Sequence, residues 1–304
     1  TRRYDYRTII REGHNMDFKK AAELLSLCKE YDKPISQIMM DRECEMTEKP
    51  LDEIRSRMAV SLQIMKDATK EAINQPSQSM GGLIGGESRK LSDLQSSGKN
   101  IAGNLISKAI AYSMGVLEVN ASMGLIVAAP TAGSSGVIPG VLLALQEEYD
   151  FTDDQIIDAL FTCSAIGYLA MLNATVAGAV GGCQAEIGVA AAMAAAAVVE
   201  LMGGTPEQCT DAASTVLMNM LGLVCDPVGG LVEYPCQNRN ASGASNAIVA
   251  AEISLAGIHQ LIPLDEMMDI MYTVGKKLPA ELRETALGGC ALSPSACAKC
   301  KIKH

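Results

Sequence analysis

The run Ile187-Gly188-Val189-Ala190-Ala191-Ala192-Met193-Ala194-Ala195-Ala196-Ala197-Val198-Val199 decides the class of fold. It carries no charged or polar side chain, and its small residues let neighbours approach on every side. It is too short to span a bilayer. The stretch before it, residues 159–183, is also uncharged, but Thr162, Ser164, Asn173 and Thr175 interrupt it and Gly167, Gly178, Gly181 and Gly182 loosen it. No cationic anchor flanks it. The expectation is a pair of fully buried helices in a soluble protein, not a pair of membrane spans.

Composition agrees. Of the 304 residues 48% are hydrophobic, but only 4% are aromatic and Trp is absent. Ala, Met, Gly, Leu and Ile must fill the interior, which favours close-packed helices over a β-sandwich. Helical spacing or start signals recur from Asp17 (Phe18, Ala21, Ala22, Leu25, Cys28), over 35–44, and from Thr47 as N-cap with Pro50 in the first turn to about Asn74. They continue over 101–114, 120–128, 137–146, 155–172 behind Thr152-Asp153-Asp154, 185–202, from Thr205-Pro206-Glu207 to about Leu221, 241–261 and 264–277. Strand-like alternation is almost absent, with 230–234 the best short candidate. The predicted fold is all-α, with functional loops at helix ends. Residues 16–290 are expected to form the domain and 291–304 a cysteine-containing tail. The basic segment 1–15 reads as a leader or an appended piece outside the fold.

A net charge of −10 argues against nucleic acid and anionic membranes as partners. Between Lys108 and Arg239 there is no Lys or Arg, although Glu118, Asp153, Asp158, Glu186, Asp226 and Glu233 lie there. The ten cysteines, with no secretory leader recognised, point to reduced thiols and a cytoplasmic setting. Cys28, Cys44, Cys163 and Cys209 read as core or helix-face thiols.

Three cysteines differ. Gly182-Cys183-Gln184-Ala185-Glu186, Cys225-Asp226-Pro227 and Pro235-Cys236-Gln237-Asn238-Arg239-Asn240 place each beside glycine, proline or an acid at an element end. Thiolates at such places bind iron or zinc. The spacing is no generic metal signature, and buried apolar cysteine is the plain alternative.

These motifs, with Pro130-Thr131-Ala132-Gly133-Ser134-Ser135-Gly136-Val137, Gly222-Leu223-Val224-Cys225, Gly243-Ala244-Ser245-Asn246, Gly82-Leu83-Ile84-Gly85-Gly86 and Leu282-Arg283-Glu284-Thr285, resemble the iron–sulfur L-serine dehydratases. More narrowly, residues from about 17 to 295 are similar to the α, catalytic, chain of the two-subunit form. The resemblance implies an all-helical domain holding a [4Fe-4S] cluster through Cys183, Cys225 and Cys236. It implies deamination of L-serine to pyruvate and ammonia without pyridoxal phosphate, the open iron acting as Lewis acid on the substrate hydroxyl. It also implies a β chain as partner and an oligomeric enzyme.

Beside that resemblance, Thr131, Ala132, Gly133, Ser134, Ser135 and Gly136 precede a predicted helix and offer hydroxyls and N–H groups for the serine carboxylate. Arg239 is expected to clamp that carboxylate or balance the cluster, and Asn240 to bind substrate or cap a helix. Asn238, Ser242 and Asn246 are further donors. Glu186 is the candidate catalytic residue, as acceptor for the ammonium group or as base. His259 reads as a core histidine. Cys290 stands where the resembled family usually has an apolar residue. Cys297-Ala298-Lys299-Cys300 makes Cys297 or Cys300 a candidate removable fourth iron ligand, against a frayed tail with incidental thiols. Rival readings are an L-cysteine desulfidase of the same superfamily and a non-catalytic iron–sulfur electron carrier. A pyridoxal-phosphate dehydratase is disfavoured, because no suitable Lys lies near the loop that would cradle the phosphate.

Overall fold

The computed structural model describes residues 16–301. At its centre is the alanine-rich segment. Helices precede it in the order α1 (Ala21–Tyr31), α2 (Ile35–Thr47), α3 (Leu51–Asn74), α4 (Glu87–Ser96), α5 (Gly103–Ala121), α6 (Val137–Tyr149) and α7 (Asp153–Asn173). It forms α8 (Val189–Leu201), followed by α9 (Pro206–Asn219), α10 (Cys236–Leu255) and α11 (Leu264–Lys277). Residues 189–199 of α8 are all buried, and α6, α7, α9 and α10 surround it. With a methyl as the usual side chain, α8 lets its neighbours close towards the lower end of the usual interaxial range. Gly243 of α10 shows how tight this is: a Cβ there would stand 2.8 Å from Ile187 Cγ2. α7 and the segment Gln184–Leu201 are long and apolar enough to cross a membrane, but 67% and 83% of their apolar windows are buried inside the fold. Packing against other helices therefore accounts for their composition.

Capping fixes several starts as predicted. Thr152 accepts from Gln155 N–H while Gln155 reaches back to Thr152, and Thr205 and Gln208 repeat the pattern with Pro206 in the first turn. Other boundaries differ. Thr47 does not cap α3; it ends α2, its hydroxyl donating to Glu43 C=O at 2.6 Å, and Pro50 takes the N-cap position. The two helices predicted over 101–114 and 120–128 are one, α5. It stops at Ala121 because Gly124 N–H folds back onto Val119 C=O, leaving 124–128 non-helical. The helix predicted from 241 begins at Cys236, where Gln237 N–H bonds Glu233 C=O. It ends at Leu255, before Gly257 with its positive φ, so His259 is exposed and paired with Asp211 at 3.0 Å rather than buried.

Residues 230–234 form a tight turn, not a strand. Among the described residues the one bridge of β type joins Cys225 to Arg283 in parallel. The reading of 1–15 as a leader falls outside the described residues. Of the thiols read as structural, Cys28, Cys163 and Cys209 are buried and Cys44 is half-buried.

Candidate active site

Three segments converge beyond the start of α8. Gly182, at φ +76°, turns the chain where a Cβ would meet Leu223 C=O at 2.7 Å. Cys183 follows and leads into a π-helical turn, Gln184–Gly188, that feeds α8. Such wide turns re-aim side chains and recur at functional sites. The buried Gln184 fixes this turn to the next segment. Its N–H donates to Leu223 C=O (3.0 Å), its Oε1 accepts from Gly222 N–H (2.7 Å), and its Nε2 donates to Met271 C=O (2.9 Å) on α11.

Cys225 lies in a short ladder. Its N–H donates to Leu282 C=O at 2.8 Å and its C=O accepts from Glu284 N–H at 2.7 Å, so residues 282–284 run alongside it. Cys236 opens α10, and two buried carboxylates hold that end. Glu233 accepts from Ser79 Oγ (2.7 Å), Gly81 N–H (2.6 Å) and Leu83 N–H (3.1 Å). Glu118 accepts from Gly86 N–H, Ser88 N–H and Gln237 Nε2. The glycine-rich loop 79–86 is thus a brace for the Cys236 segment.

Cys183, Glu186, Cys225, Cys236, Gly133 and Glu284 line one enclosed cavity of about 20 Å³. The ligand atoms of Cys183, Glu186 and Cys225 all lie within 4.8 Å of one another. The hydrogen bond with Cys183 and then burial push the Cys225 thiol far up. Burial above all pushes Cys236 up to about 12. Burial also raises the Glu186 carboxyl, opposed by the Thr131 hydroxyl that donates to its Oε1 at 2.8 Å. Arg239 is the cation in contact with the Cys183 thiol. Burial works against its charge, but Cys183 and Asp226 outweigh that and raise its pKa. Its guanidinium pairs with Asp226 at 2.7 Å and donates to Cys183 Sγ at 3.6 Å.

The structure brings together part of the expected set. Thr131 and Gly133 reach the cavity edge; Ala132 is exposed. Ser134 is closed into a capping box with Thr131, while Ser135 is buried with its Oγ unpartnered. Gly136 N–H is spent on Asn240 Oδ1. Asn240 is buried, and its amide already serves Gly136 N–H, Gly133 C=O and Cys236 C=O. It does not cap a helix, since it sits inside α10. Arg239 likewise already has partners, Asp226 and the Cys183 thiol. Neither tail cysteine lines the cavity. Cys297 is exposed and donates to Ala291 C=O at 3.0 Å. Cys300 is buried where a Cβ on Gly229 would stand 2.7 Å from its Sγ. The tail is no loose end: Lys301 N–H bonds Gly81 C=O, and Asp226 Oδ2 accepts from Cys290 N–H at 2.6 Å.

Sequence reasoning missed Gln184, Glu118, Glu233 and Glu284 as parts of the site. Gln184 and Glu284 stood inside the motifs around Cys183 and over 282–285, and Glu118 and Glu233 showed only as acids in a stretch without Lys or Arg.

Residues 30–291 match the family described as "Serine dehydratase alpha chain". The chain belongs to that family. It is 48% identical over 278 residues to "Probable L-serine dehydratase, alpha chain" of Bacillus subtilis, covering 91% of this chain and 92% of that protein. It is 44% identical over 271 residues to "L-serine dehydratase, alpha chain" of Peptoniphilus asaccharolyticus, covering 89% and 93%. Against an L-serine dehydratase of Escherichia coli it is 37% identical over 91% of its own length, but spans only 62% of that longer protein. In this chain the thiol cavity is built from the segments that precede α8 and α10 and from the 282–284 ladder.

Proposed function

We propose that this chain is the catalytic chain of an L-serine dehydratase, converting L-serine to pyruvate and ammonia together with a β chain, and that it holds a [4Fe-4S] cluster. The observation that carries the reading is the convergence of Cys183, Cys225 and Cys236 with Glu186 on one enclosed cavity in a chain of this family. The donor set suits the group: three soft sulfur ligands, with the Arg239 cation against one of them. When bound through these three cysteines, such a cluster supplies an iron without a protein ligand, a Lewis acid for the substrate hydroxyl.

The chain's own residues do the rest. Glu186, held by the Thr131 hydroxyl and raised in proton affinity by burial, takes the Cα proton. The Cα proton taken by Glu186 is matched by a proton delivered from the same carboxyl to the departing β-hydroxyl, which leaves as water, and aminoacrylate results. This tautomerises to the imine, and water releases pyruvate and ammonia. Gly133 lets the loop come close to the base: a Cβ there would stand 3.3 Å from Glu186 Oε1. Arg239 offsets the negative charge of the sulfur ligands.

The test is anaerobic reconstitution with iron and sulfide, followed by metal analysis and a pyruvate assay on L-serine with the β chain present. Full activity in metal-free protein would sink the reading. A second reading rests on spacing: ligand atoms of Cys183, Glu186 and Cys225 within 4.8 Å, around a volume of about one water-sized sphere, suit a single soft ion. One metal per chain with no acid-labile sulfide would favour it.

A further inference from the structure

The geometry points to Glu284 as the residue that receives the α-ammonium group of the substrate, and so as the residue that sets the preference for amino acids over hydroxy acids. This rests on the serine dehydratase reading and deepens it. An ammonium group carries three hydrogen-bond donors and a full charge, and it needs an anionic acceptor at the rim of the site. Among the described residues the cavity lining offers two carboxylates, Glu186 and Glu284.

Glu186 is already engaged. Its Oε1 accepts from the Thr131 hydroxyl and its Oε2 faces Cys225 Sγ at 3.9 Å. In the proposed reaction it must also take a proton. Asp226, the other acid nearby, is closed off by Arg239 and Cys290 N–H. Glu284 is the carboxylate of the lining with no hydrogen bond or ion pair to its side chain among the described residues. It is exposed, hence reachable by an incoming amino acid.

Its backbone is nonetheless fixed. The two ladder bonds to Cys225, at 2.8 and 2.7 Å, hold residues 282–284 in register with a proposed metal ligand. A substrate with its hydroxyl directed to the thiol side and its Cα–H to Glu186 would then turn its ammonium towards Glu284. No other residue type in the lining suits that end: Gly133, Ile187, Pro227, Gly230 and Val232 carry no charge.

The test uses reconstituted enzyme with its β chain and compares wild type with Glu284→Gln and Glu284→Asp. KM and kcat for L-serine are read beside the inhibition constant of L-glycerate, which keeps the carboxylate and hydroxyl but has no ammonium. Iron and sulfide content are measured on the same samples. Glu284→Gln should raise KM for L-serine about ten- to a hundredfold, the range of a lost charged hydrogen bond. Glycerate inhibition should change less than about twofold on the same ground. Metal content should match wild type, and Glu284→Asp should recover part of the loss. An unchanged KM, an equal weakening of serine and glycerate, or loss of iron from the Gln variant would each overturn the assignment while leaving the activity itself standing. If instead wild type forms no pyruvate, the dehydratase reading fails, and the role of Glu284 fails with it.

Discussion

The helix α8 and the loop layer beside it are neighbours in the chain and opposites in construction. α8 is enclosed on all sides and is held by shape alone, with no polar side chain before Glu200. The loop layer is held by buried acids and amides that accept or donate several backbone hydrogen bonds, Glu233, Glu118, Gln184 and Asn240, with Asp226 adding one from Cys290 N–H and an ion pair to Arg239. Apolar packing is non-directional and gives the scaffold its stability. Hydrogen bonds to fixed backbone groups are directional, and they bring three thiols from distant parts of the chain to one cavity. On that contrast, perturbing the core is expected to spare the site, and perturbing the site to spare the core.

The sharpest way to break that contrast is Cys225→Ala. Iron and sulfide uptake and pyruvate formation should vanish, while urea unfolding of the metal-free protein shifts by only about 1 kcal/mol. A large drop in stability would mean that the thiol layer is part of the core after all. The converse variant is Ala195→Leu, at a fully buried site of α8. Overpacking should cost up to about 3 kcal/mol in urea unfolding, with iron content per folded chain unchanged.

Smaller is Glu233→Gln. One acceptor oxygen then replaces two that serve three donors, at about 1–2 kcal/mol. Amide exchange should quicken in 79–86, and iron should leave the reconstituted protein faster; unaltered exchange there would deny the brace. The smallest effect concerns Glu200, where α8 meets the surface. Burial raises its carboxyl above the ordinary 4.5. The folded state then holds a proton that the unfolded state has lost, so stability falls as pH climbs from about 4.5 through the raised value. Glu200→Gln should flatten the pH dependence of melting in that window, and an unchanged slope would refute the burial argument.

Helix content was legible in the sequence because it is written locally. The capping boxes at Thr152 and Thr205 and the apolar face of α11 are short-range signals, and each reappears in the structure. The misread boundaries were set by partners outside the local window. α10 reaches back to Cys236 because residues 233–237 are tied down by the loop 79–86 and by Glu118, more than a hundred residues away. His259 looked internal because its neighbours are apolar, but the turn at Gly257 takes it out of the helix.

The site divides in the same way. The sequence by itself determined the all-helical class, through small apolar residues at helical spacing, and the family, through motifs around Cys183, Cys225 and Cys236. Only the tertiary structure decided how those motifs are used. Asn240 and Arg239 looked like ligand-binding groups, and they already serve backbone, Asp226 and Cys183; Glu284, quoted in its motif without a role, lines the cavity. The physical reason is that a side chain's function depends on which of its hydrogen bonds are already taken. That is settled by residues distant in sequence, such as Cys225 and Leu282, which meet only when the chain has folded.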